Sequence, residues 1–310
     1  MRNAFADEVT KMGQSDSRIV LLSGDIGNRL FDKFKDKNEG RFINCGIAEA
    51  NMMGLAAGMA LSGLRPIIYT ITPFTTTRCF EQIRIDACYH NVPVIIIGTG
   101  SGFAYAGLGP THHSCEDFAI LRVLPNMTVL APADEVELRQ CLRAALKLHS
   151  PTYIRIGKKG EQIITKQNDD FKIGRTITVR EGEEVCLIGT GTLMPTVLEA
   201  AEILNGEGLS ARVESCHTIK PLDEEMLKDV FSKYSLVTVV EEHSRIGGLY
   251  GSVAEWLAKQ TNVKGKLGSF GTGDEFMHEV GSQAYARAKY GLTAKNISEQ
   301  VIASFSKVSD

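Results

Sequence analysis

Short apolar runs rich in β-branched residues alternate with helical patterns along the first half of this chain. Strand candidates lie at 18–23, 65–70, 92–98, 127–132 and 151–156, and helical stretches lie near 3–13, 48–62, 75–90 and 134–148. Such alternation predicts parallel strands covered by helices, which is an α/β doubly wound unit. The run VPVIIIG at 92–98 is apolar throughout, as expected of a strand that is buried on both faces.

A polar segment at 157–174 interrupts this alternation, and a second α/β series follows it. Its strand candidates are 183–191, 209–215 and 235–243, its helices lie near 193–205 and 247–258, and a turn with a terminal amphipathic helix occupies 289–305. The pattern predicts two doubly wound α/β domains with mostly parallel sheets, at residues 1–165 and 166–310. Because many unrelated proteins share this layout, function has to be argued from particular residues.

Composition and charge exclude several classes of protein. Of the 310 residues, 43% are hydrophobic and 23% are charged, as in ordinary globular proteins. The net charge of −3 and the lack of a Lys/Arg run argue against polyanion binding, and no apolar run approaches the ~20 residues of a membrane span. The segment MRNAFADEVTKMG lacks the apolar core of a secretory signal. Seven cysteines without a CxxC pair predict reduced thiols in the cytoplasm, not disulfides or a zinc site.

Glu49 is the one charged side chain in the stretch CGIAEANMMGLAAGMALSG at 45–63. On a helix it shares a face with apolar residues, namely Met52, Met53, Ala56, Ala57 and Ala60. One interpretation is a first-turn glutamate that the helix dipole favours and that is partly wet. The other is a shielded carboxyl group that shares a proton with a ligand. The spacing alone leaves both open.

Two further segments are candidates for chemistry. The glycine-rich loop at 100–117, which contains His112 and His113, follows a predicted strand, and α/β sheets bind ligands at such loops. Its alternative is a mobile surface loop with incidental histidines. Adjacent histidines usually point in different directions, so the two are not assigned to one metal or one proton. Phe74 lies between a strand and a helix, and it is either a core residue or an aromatic face for a heterocycle.

Taken together and in order, five segments resemble the C-terminal half of a transketolase, and the resemblance covers nearly the whole chain. They are SGDIGN (23–28), NCGIAEANMMGLAAGMAL (44–61), TPFTTTRCFEQIR (72–84), GLGPTHHSCEDFAILRVLPNMTVLAPAD (107–134) and DEFMHEVGS with KYGLTA (274–282 and 289–294). The resemblance implies a thiamine diphosphate pyrimidine-binding domain at 1–165 and a transketolase C-terminal domain at 166–310.

The resemblance also assigns roles to single residues. Glu49 matches the glutamate that hydrogen-bonds N1′ of the aminopyrimidine ring, which lets the cofactor become a nucleophile and then an electron sink. Phe74 becomes the stacking platform for the aminopyrimidine, and His112 becomes a proton donor or hydrogen-bond partner for the substrate carbonyl. Asp25, in the SGDIGN turn, is placed with the cofactor-binding residues.

One part of the family's machinery is missing from this sequence. The family holds the cofactor diphosphate through a metal bound by a GDG…N motif in a separate N-terminal domain. No GDG occurs here, and the SGDIGN turn has isoleucine at the third position. The resemblance therefore implies that a second polypeptide supplies the ligands of Mg²⁺ and of the diphosphate, with active sites between the subunits of an α₂β₂ assembly.

Two positions depart from the family's substrate site. The family has an aspartate for a donor hydroxyl where this chain has Leu108, and a histidine for substrate phosphate where it has Gly100. A lost polar contact changes substrate preference without abolishing chemistry, so a modified or deoxy sugar, or an oxo acid, is expected as donor. Lys158 matches a basic position for the substrate's anionic end; for it and its neighbour Lys159, a solvated linker is the alternative.

The leading interpretation is the pyrimidine-binding, β-type subunit of a split transketolase-like enzyme that transfers a two-carbon ketol unit. The β subunit of a 2-oxo acid dehydrogenase decarboxylase component has the same two-domain layout and would pass an acyl group to a lipoyl domain. A non-catalytic subunit of the same fold is the third possibility, and the presence of Glu49, Phe74 and His112 argues against it.

Overall fold

The computed structural model describes residues 1–27, 29–167, 170–261 and 263–309. The strands within these ranges are β1 (Ile19–Ser23), β2 (Phe42–Asn44), β3 (Arg65–Ile71), β4 (Ile95–Thr99), β5 (Thr128–Leu130), β6 (Thr152–Ile156), β7 (Ile177–Arg180), β8 (Val185–Gly189), β9 (Ala211–Ser215), β10 (Thr218–Lys220), β11 (Leu236–Ser244) and β12 (Lys266–Thr272). The helices are α1 (Arg2–Ser15), α2 (Asp32–Lys37), α3 (Glu49–Leu61), α4 (Thr72–Thr75), α5 (Phe80–Gln82), α6 (Asp117–Arg122), α7 (Glu135–Lys147), α8 (Met194–Gly206), α9 (Glu224–Lys233), α10 (Leu249–Leu257), α11 (Gln283–Lys289) and α12 (Ala294–Ser309).

The first sheet has the strand order β10-β5-β6-β4-β3-β1-β2. Its neighbours pair in parallel, apart from β10, which is antiparallel to β5. Alternate residues of β1 enter different cores: Ile19 and Leu21 pack with α1 and α7, and Val20 and Leu22 pack with α3. Burial on both faces explains why the sequence of β1, IVLLS, is apolar except for its last residue.

The second sheet has the order β12-β11-β8-β9-β7 and is parallel except for β7, which runs antiparallel to β9. Helices α8 and α12 pack against one of its faces, where Val197 and Ile297 join Leu187 in one core. Two sheets of mostly parallel strands, each covered by helices, confirm the predicted fold class.

The predicted helix at 75–90 is not continuous. α4 is followed by a 3₁₀ turn at Thr77–Cys79, by α5 and by a π-helical segment at Ile83–Tyr89. Threonine hydroxyls explain the break, because Thr75 and Thr76 both donate to the carbonyl of Thr72 and so compete with the helical backbone pattern. The irregular segment matters because it carries Phe74 and the residues that follow it.

Strand β10 comes from beyond the predicted boundary at 165, yet it completes the first sheet. Thr218 lies opposite Leu130 of β5, and Ile219 belongs to the same core as Val129. Residues 164 and 165 of the polar segment are also anchored, because their backbone N–H groups each donate to the Asp134 carboxylate at 2.8 Å. The exact division into domains stays a prediction.

Five strands of the first sheet end at one edge, and a residue singled out from the sequence follows each of them. Asp25 follows β1, Glu49 follows β2, Phe74 follows β3, Gly100 follows β4 and Lys158 follows β6. The carboxyl edge of a parallel sheet is where α/β proteins bind ligands, so the topology gathers these residues at one site. Across the described ranges, no helix has the length and apolar character that crossing a membrane demands.

Candidate active site

Glu49 is the first residue of α3 and is only 3% exposed. The five apolar residues that were predicted to share its face are all buried, in the core below the carboxylate. Glu49 thus lies in the first turn of α3, as the helix-dipole interpretation expects, but it is buried and not partly wet. A carboxylate in such surroundings requires a hydrogen-bonding partner, because an unpaired buried charge is strongly destabilising.

That partner is Arg78, in the 3₁₀ turn after α4. Its Nη1 atom donates to both carboxylate oxygens of Glu49, at 3.1 and 3.0 Å. The Arg78 side chain is 46% exposed, so the cation reaches the buried carboxylate from the solvent side. The sequence alone did not single out Arg78; its position four residues after Phe74, one helical turn on, is the signal that could have done so.

Phe74 lies between two polar groups and is half-buried. The guanidinium carbon of Arg78 lies 4.1 Å from the centre of the Phe74 ring, as in a cation–π contact. The His112 ring meets Phe74 edge-on, with 5.2 Å between ring centres and 69° between ring planes. Phe74 is therefore an aromatic surface at the mouth of the site and not a core residue.

His112 ends the 3₁₀ turn Pro110–His112 and is half-buried. Burial, with a smaller contribution from the positive charge of Arg78, lowers the pKa of His112 below its usual 6.5. The ring is therefore largely neutral at neutral pH, and its Nδ1 atom lies 2.9 Å from the Thr111 hydroxyl oxygen. His113 instead is buried against Phe103, so the adjacent histidines do face different surroundings.

The side chains of Arg78, Phe74 and His112 form a row of contacts, and Tyr105 continues this row beyond His112. The two ring centres are 6.2 Å apart, and Nζ of Lys158 lies 4.4 Å from the centre of the Tyr105 ring. Gly100 has a φ of 92°, and a Cβ atom added there would collide with Cδ2 and Cε2 of Tyr105. Tyr105 thus fills the space that a side chain at position 100 would need.

The remaining predicted residues lie nearer to solvent. Leu108 is 56% exposed on the turn after Tyr105, and Lys159 is exposed beside Lys158. Asp25 is exposed at the end of β1, where its Oδ1 atom accepts a hydrogen bond from Asn44 at 2.9 Å. The contacts therefore bring Glu49, Phe74, His112 and Lys158 into one row through Arg78 and Tyr105. Leu108 lies on the turn that follows Tyr105, and the contact shown for Asp25 is with Asn44.

The residues at the Glu49 end of this row fit an aminopyrimidine. Such a ring needs a carboxyl group at N1′ and a flat apolar face. The planar guanidinium of Arg78 already uses both features, since it donates to Glu49 and lies over Phe74. For a metal the chain offers less: the described residues include no group of three or more His, Cys, Asp or Glu side chains that could hold an ion.

A mostly parallel α/β fold with a buried carboxylate beside an aromatic face at one sheet edge is suited to binding a heteroaromatic ring. Comparison with known families specifies it further. Residues 1–160 match the family described as "Transketolase, pyrimidine binding domain", and residues 174–297 match "Transketolase, C-terminal domain". The chain belongs to the transketolase family.

Individual relatives are parts of split enzymes. The chain is 37% identical to the 6-deoxy-6-sulfo-D-fructose transketolase subunit SqwH of Clostridium sp. (strain MSTE9), over 96% of this chain and 92% of that protein. It is 32% identical to one of the subunits of the apulose-4-phosphate transketolase of Phocaeicola vulgatus, over 83% of each. A solved structure described as a split gene transketolase, inactive beta4 tetramer, superposes with a TM-score of 0.87 and 34% identity, over 98% of this chain and 97% of that one.

Proposed function

We propose that this chain is the β-type subunit of a two-subunit, thiamine diphosphate-dependent transketolase whose donor is a ketose with an anionic end. The observation that carries the proposal is the buried Glu49 carboxylate beside the Phe74 ring, with the His112 ring 5.2 Å from Phe74. A shielded carboxylate, an aromatic face and a neutral histidine in one row are what carbon–carbon bond transfer on this cofactor requires from the protein.

Three residues would hold the pyrimidine end of the cofactor. Glu49 would bind N1′, Phe74 would lie against the ring, and Asp25 would border it from the end of β1. Thiamine diphosphate, when bound, supplies the carbon nucleophile and the electron sink for cleavage next to a carbonyl. Arg78 has to leave Glu49 for the ring to enter, because guanidinium and aminopyrimidine need the same carboxylate and the same face of Phe74.

His112 is assigned to the substrate oxygen. When the Thr111 hydroxyl donates to Nδ1, at 2.9 Å, the neutral ring carries its proton on Nε2. That proton can be donated to the carbonyl oxygen of the substrate as negative charge develops there. Since the pKa of His112 is lowered by burial, the neutral form that this assignment needs is available at neutral pH.

The polar groups around the substrate favour an unusual anionic donor. Leu108 and Gly100 offer no hydrogen bond to sugar hydroxyls, whereas Lys158 offers a positive charge at the far end of the row. The two curated relatives described above are named for a sulfo-ketose and a ketose phosphate. Both names denote an anionic group, which is the feature that a lysine at that end recognises.

The proposed enzyme also requires a second polypeptide. The relatives are named as subunits, and this sequence has no GDG motif for Mg²⁺ and diphosphate, so a partner chain would supply both in an α₂β₂ assembly. Ile47 and Leu108 are 78% and 56% exposed next to the site, which suits a surface that a partner covers. The cytoplasm is the proposed location, supported by seven cysteines that are all free thiols in the described ranges.

Reconstitution tests the function. The chain is mixed with a chain that carries the GDG motif, thiamine diphosphate and Mg²⁺, and products are identified from a panel of ketose phosphates, deoxyketoses, sulfo-ketoses and pyruvate with aldehyde acceptors. We expect ketol transfer only from the pair, best with an anion-terminated ketose. Transfer of an acyl group from pyruvate to a lipoyl acceptor, without ketol transfer, would contradict the proposal in favour of a 2-oxo acid dehydrogenase subunit.

A further inference from the structure

Tyr105 stands where two features of the site meet, and neither contact is part of the proposed function. Its ring takes the space of any side chain at Gly100, and it lies under the ammonium group of Lys158. We propose that Tyr105 is the specificity-determining residue of this subunit: it replaces the polar side chain absent at position 100 and holds Lys158 against the anionic end of the donor. The proposal deepens the proposed function and rests on it.

The order of contacts places Tyr105 between the reacting end and the charged end of a ketose. His112, assigned to the carbonyl oxygen, has its ring centre 6.2 Å from that of Tyr105, and Nζ of Lys158 lies 4.4 Å from the centre of the same tyrosine ring. A linear ketose that reaches from His112 to Lys158 therefore passes the Tyr105 ring. An aromatic ring there offers a flat apolar surface, which suits a carbon chain that lacks an ordinary hydroxyl pattern.

The Lys158 ammonium needs such a support because a lysine side chain is flexible. A cation above an aromatic ring is attracted by the ring's quadrupole, so the ring reduces the number of positions that the ammonium samples. Lys158 also borders a cavity that Lys159, Thr192, Arg287 and the Glu161 carboxylate line. Because Glu161 is paired with the N-terminal ammonium and Arg287 with Glu242, an anion in this cavity would be held mainly by Lys158 and Lys159.

Glycine at position 100 is the condition for this arrangement. With a φ of 92°, the backbone there is strained for any residue with a side chain, and the Tyr105 ring closes the remaining space. A polar side chain at 100 and the ring of Tyr105 are mutually exclusive in this geometry. The absence of a side chain at Gly100 therefore does more than remove a polar contact: it leaves the space that the Tyr105 ring occupies.

The steric claim is tested without catalysis, by thermal unfolding of a double-mutant cycle. Gly100→Ala should lower the Tm of the chain, and in the Tyr105→Ala background the same substitution should lower it less, since the collision is gone and only backbone strain is left. Equal losses in both backgrounds would overturn the claim that the ring occupies this space.

The specificity claim is tested in the reconstituted pair with 6-deoxy-6-sulfo-D-fructose and the uncharged 6-deoxy-D-fructose as donors. Tyr105→Leu should raise KM for the sulfo-ketose about tenfold, with kcat and the KM of the neutral ketose within about threefold, and Tyr105→Phe should restore the wild-type KM. Lys158→Met should raise the same KM. In the double variant, the fold-increase in KM should be smaller than the product of the two single fold-increases.

The outcomes separate this inference from the proposed function. If the wild-type pair transfers ketol units but Tyr105→Leu changes both donors alike, or changes only kcat, the specificity role is overturned and the transketolase stands. If the wild-type pair uses neither the sulfo-ketose nor any other anion-terminated ketose, the proposed donor class fails and the specificity role fails with it. The thermal cycle decides the steric claim in either case.

Discussion

A single nitrogen of Arg78 donates to both oxygens of the Glu49 carboxylate, at 3.1 and 3.0 Å. The same guanidinium covers the Phe74 ring at 4.1 Å. The position proposed for the aminopyrimidine is therefore occupied by the Arg78 guanidinium. Binding of an aminopyrimidine has to replace an existing charge-assisted hydrogen bond, which weakens binding of the cofactor by this chain in isolation.

Removing Arg78 should strengthen binding of the pyrimidine fragment of thiamine to the isolated chain. In Arg78→Ala the buried carboxylate lacks its partner, so 4-amino-5-hydroxymethyl-2-methylpyrimidine should bind about tenfold more tightly by calorimetry. Arg78→Lys is the matched control, since it keeps a cation near Glu49 without the flat stacked group. Equal affinity in wild type and Arg78→Ala would show that Arg78 does not compete for the site.

Glu49→Gln should leave folding and subunit assembly intact and lower kcat of the reconstituted pair by roughly two orders of magnitude or more. An amide of the same size cannot relay a proton to N1′, whereas general acid–base groups typically contribute about 10²–10⁴-fold. Glu81→Gln is the control, because it removes the same charge from a side chain that lies nearby in the sequence and is 63% exposed. Near-normal turnover in Glu49→Gln would remove Glu49 from the proton path.

His112 should titrate below pH 6.5 in the isolated chain. Burial is the main cause of its lowered pKa and the charge of Arg78 is the second, so Arg78→Ala should raise the pKa without returning it to 6.5. Proton NMR of the imidazole Cε1–H, assigned with His112→Asn, measures both values. A pKa at or above 6.5 in wild type would contradict the neutral donor assigned here.

Leu108→Asp should improve use of donors with the ordinary hydroxyl pattern and impair the native donor. The new carboxylate can accept from a sugar hydroxyl, and it also repels an anionic substrate. Leu108→Asn is the control, because it is polar at similar size and has no charge. The ratio of kcat/KM for D-fructose 6-phosphate and 6-deoxy-6-sulfo-D-fructose is the measurement, and a parallel change for both donors would show an effect on folding only.

Glu137 should make stability fall as pH rises. It is fully buried, its oxygens accept from the Ala133 N–H and the Ser215 hydroxyl at 2.7 Å each, and burial raises its pKa to about 7. A raised folded pKa gives stability that is complete below the unfolded value near 4.5 and lost as pH rises through 7, by about 3 kcal/mol. In urea unfolding, the free energy of unfolding of Glu137→Gln should exceed that of wild type at pH 8 but not at pH 5. An equal difference between the two proteins at both pH values would refute this.

Central strands were predictable from the sequence, and edge strands were not. β1, β3, β4 and β6 are buried on both faces and read as apolar runs, whereas the unpredicted strands β2, β7, β10 and β12 are the four sheet edges. An edge strand has one hydrogen-bonding side without a partner and often a polar face, so its sequence resembles that of a loop. β10 is such an edge strand and only three residues long, so it was not predicted, and the boundary at 165 was placed without it.

The site was predictable where the chemistry shows in residue type, and hidden where it depends on contact. Glu49 stands out as one charge in an apolar helix, although that pattern left its burial open. Arg78 is marked in the sequence only by its spacing from Phe74, and Tyr105 is not marked at all, because a tyrosine in a glycine-rich loop is ordinary until the fold places its ring under Lys158. Both roles depend on contacts between residues that are distant in the sequence, namely Arg78 with Glu49 and Tyr105 with Lys158.

Strand β10 also sets an order of events when the chain is made on the ribosome. β5 leaves the exit tunnel well before Thr218–Lys220, the segment that pairs with it. Until that segment emerges, the first sheet ends in an unpaired edge with exposed backbone donors and acceptors, which invites pairing with another nascent chain. The β5 edge of the first sheet is therefore covered only after residues well beyond the predicted boundary at 165 have been synthesised.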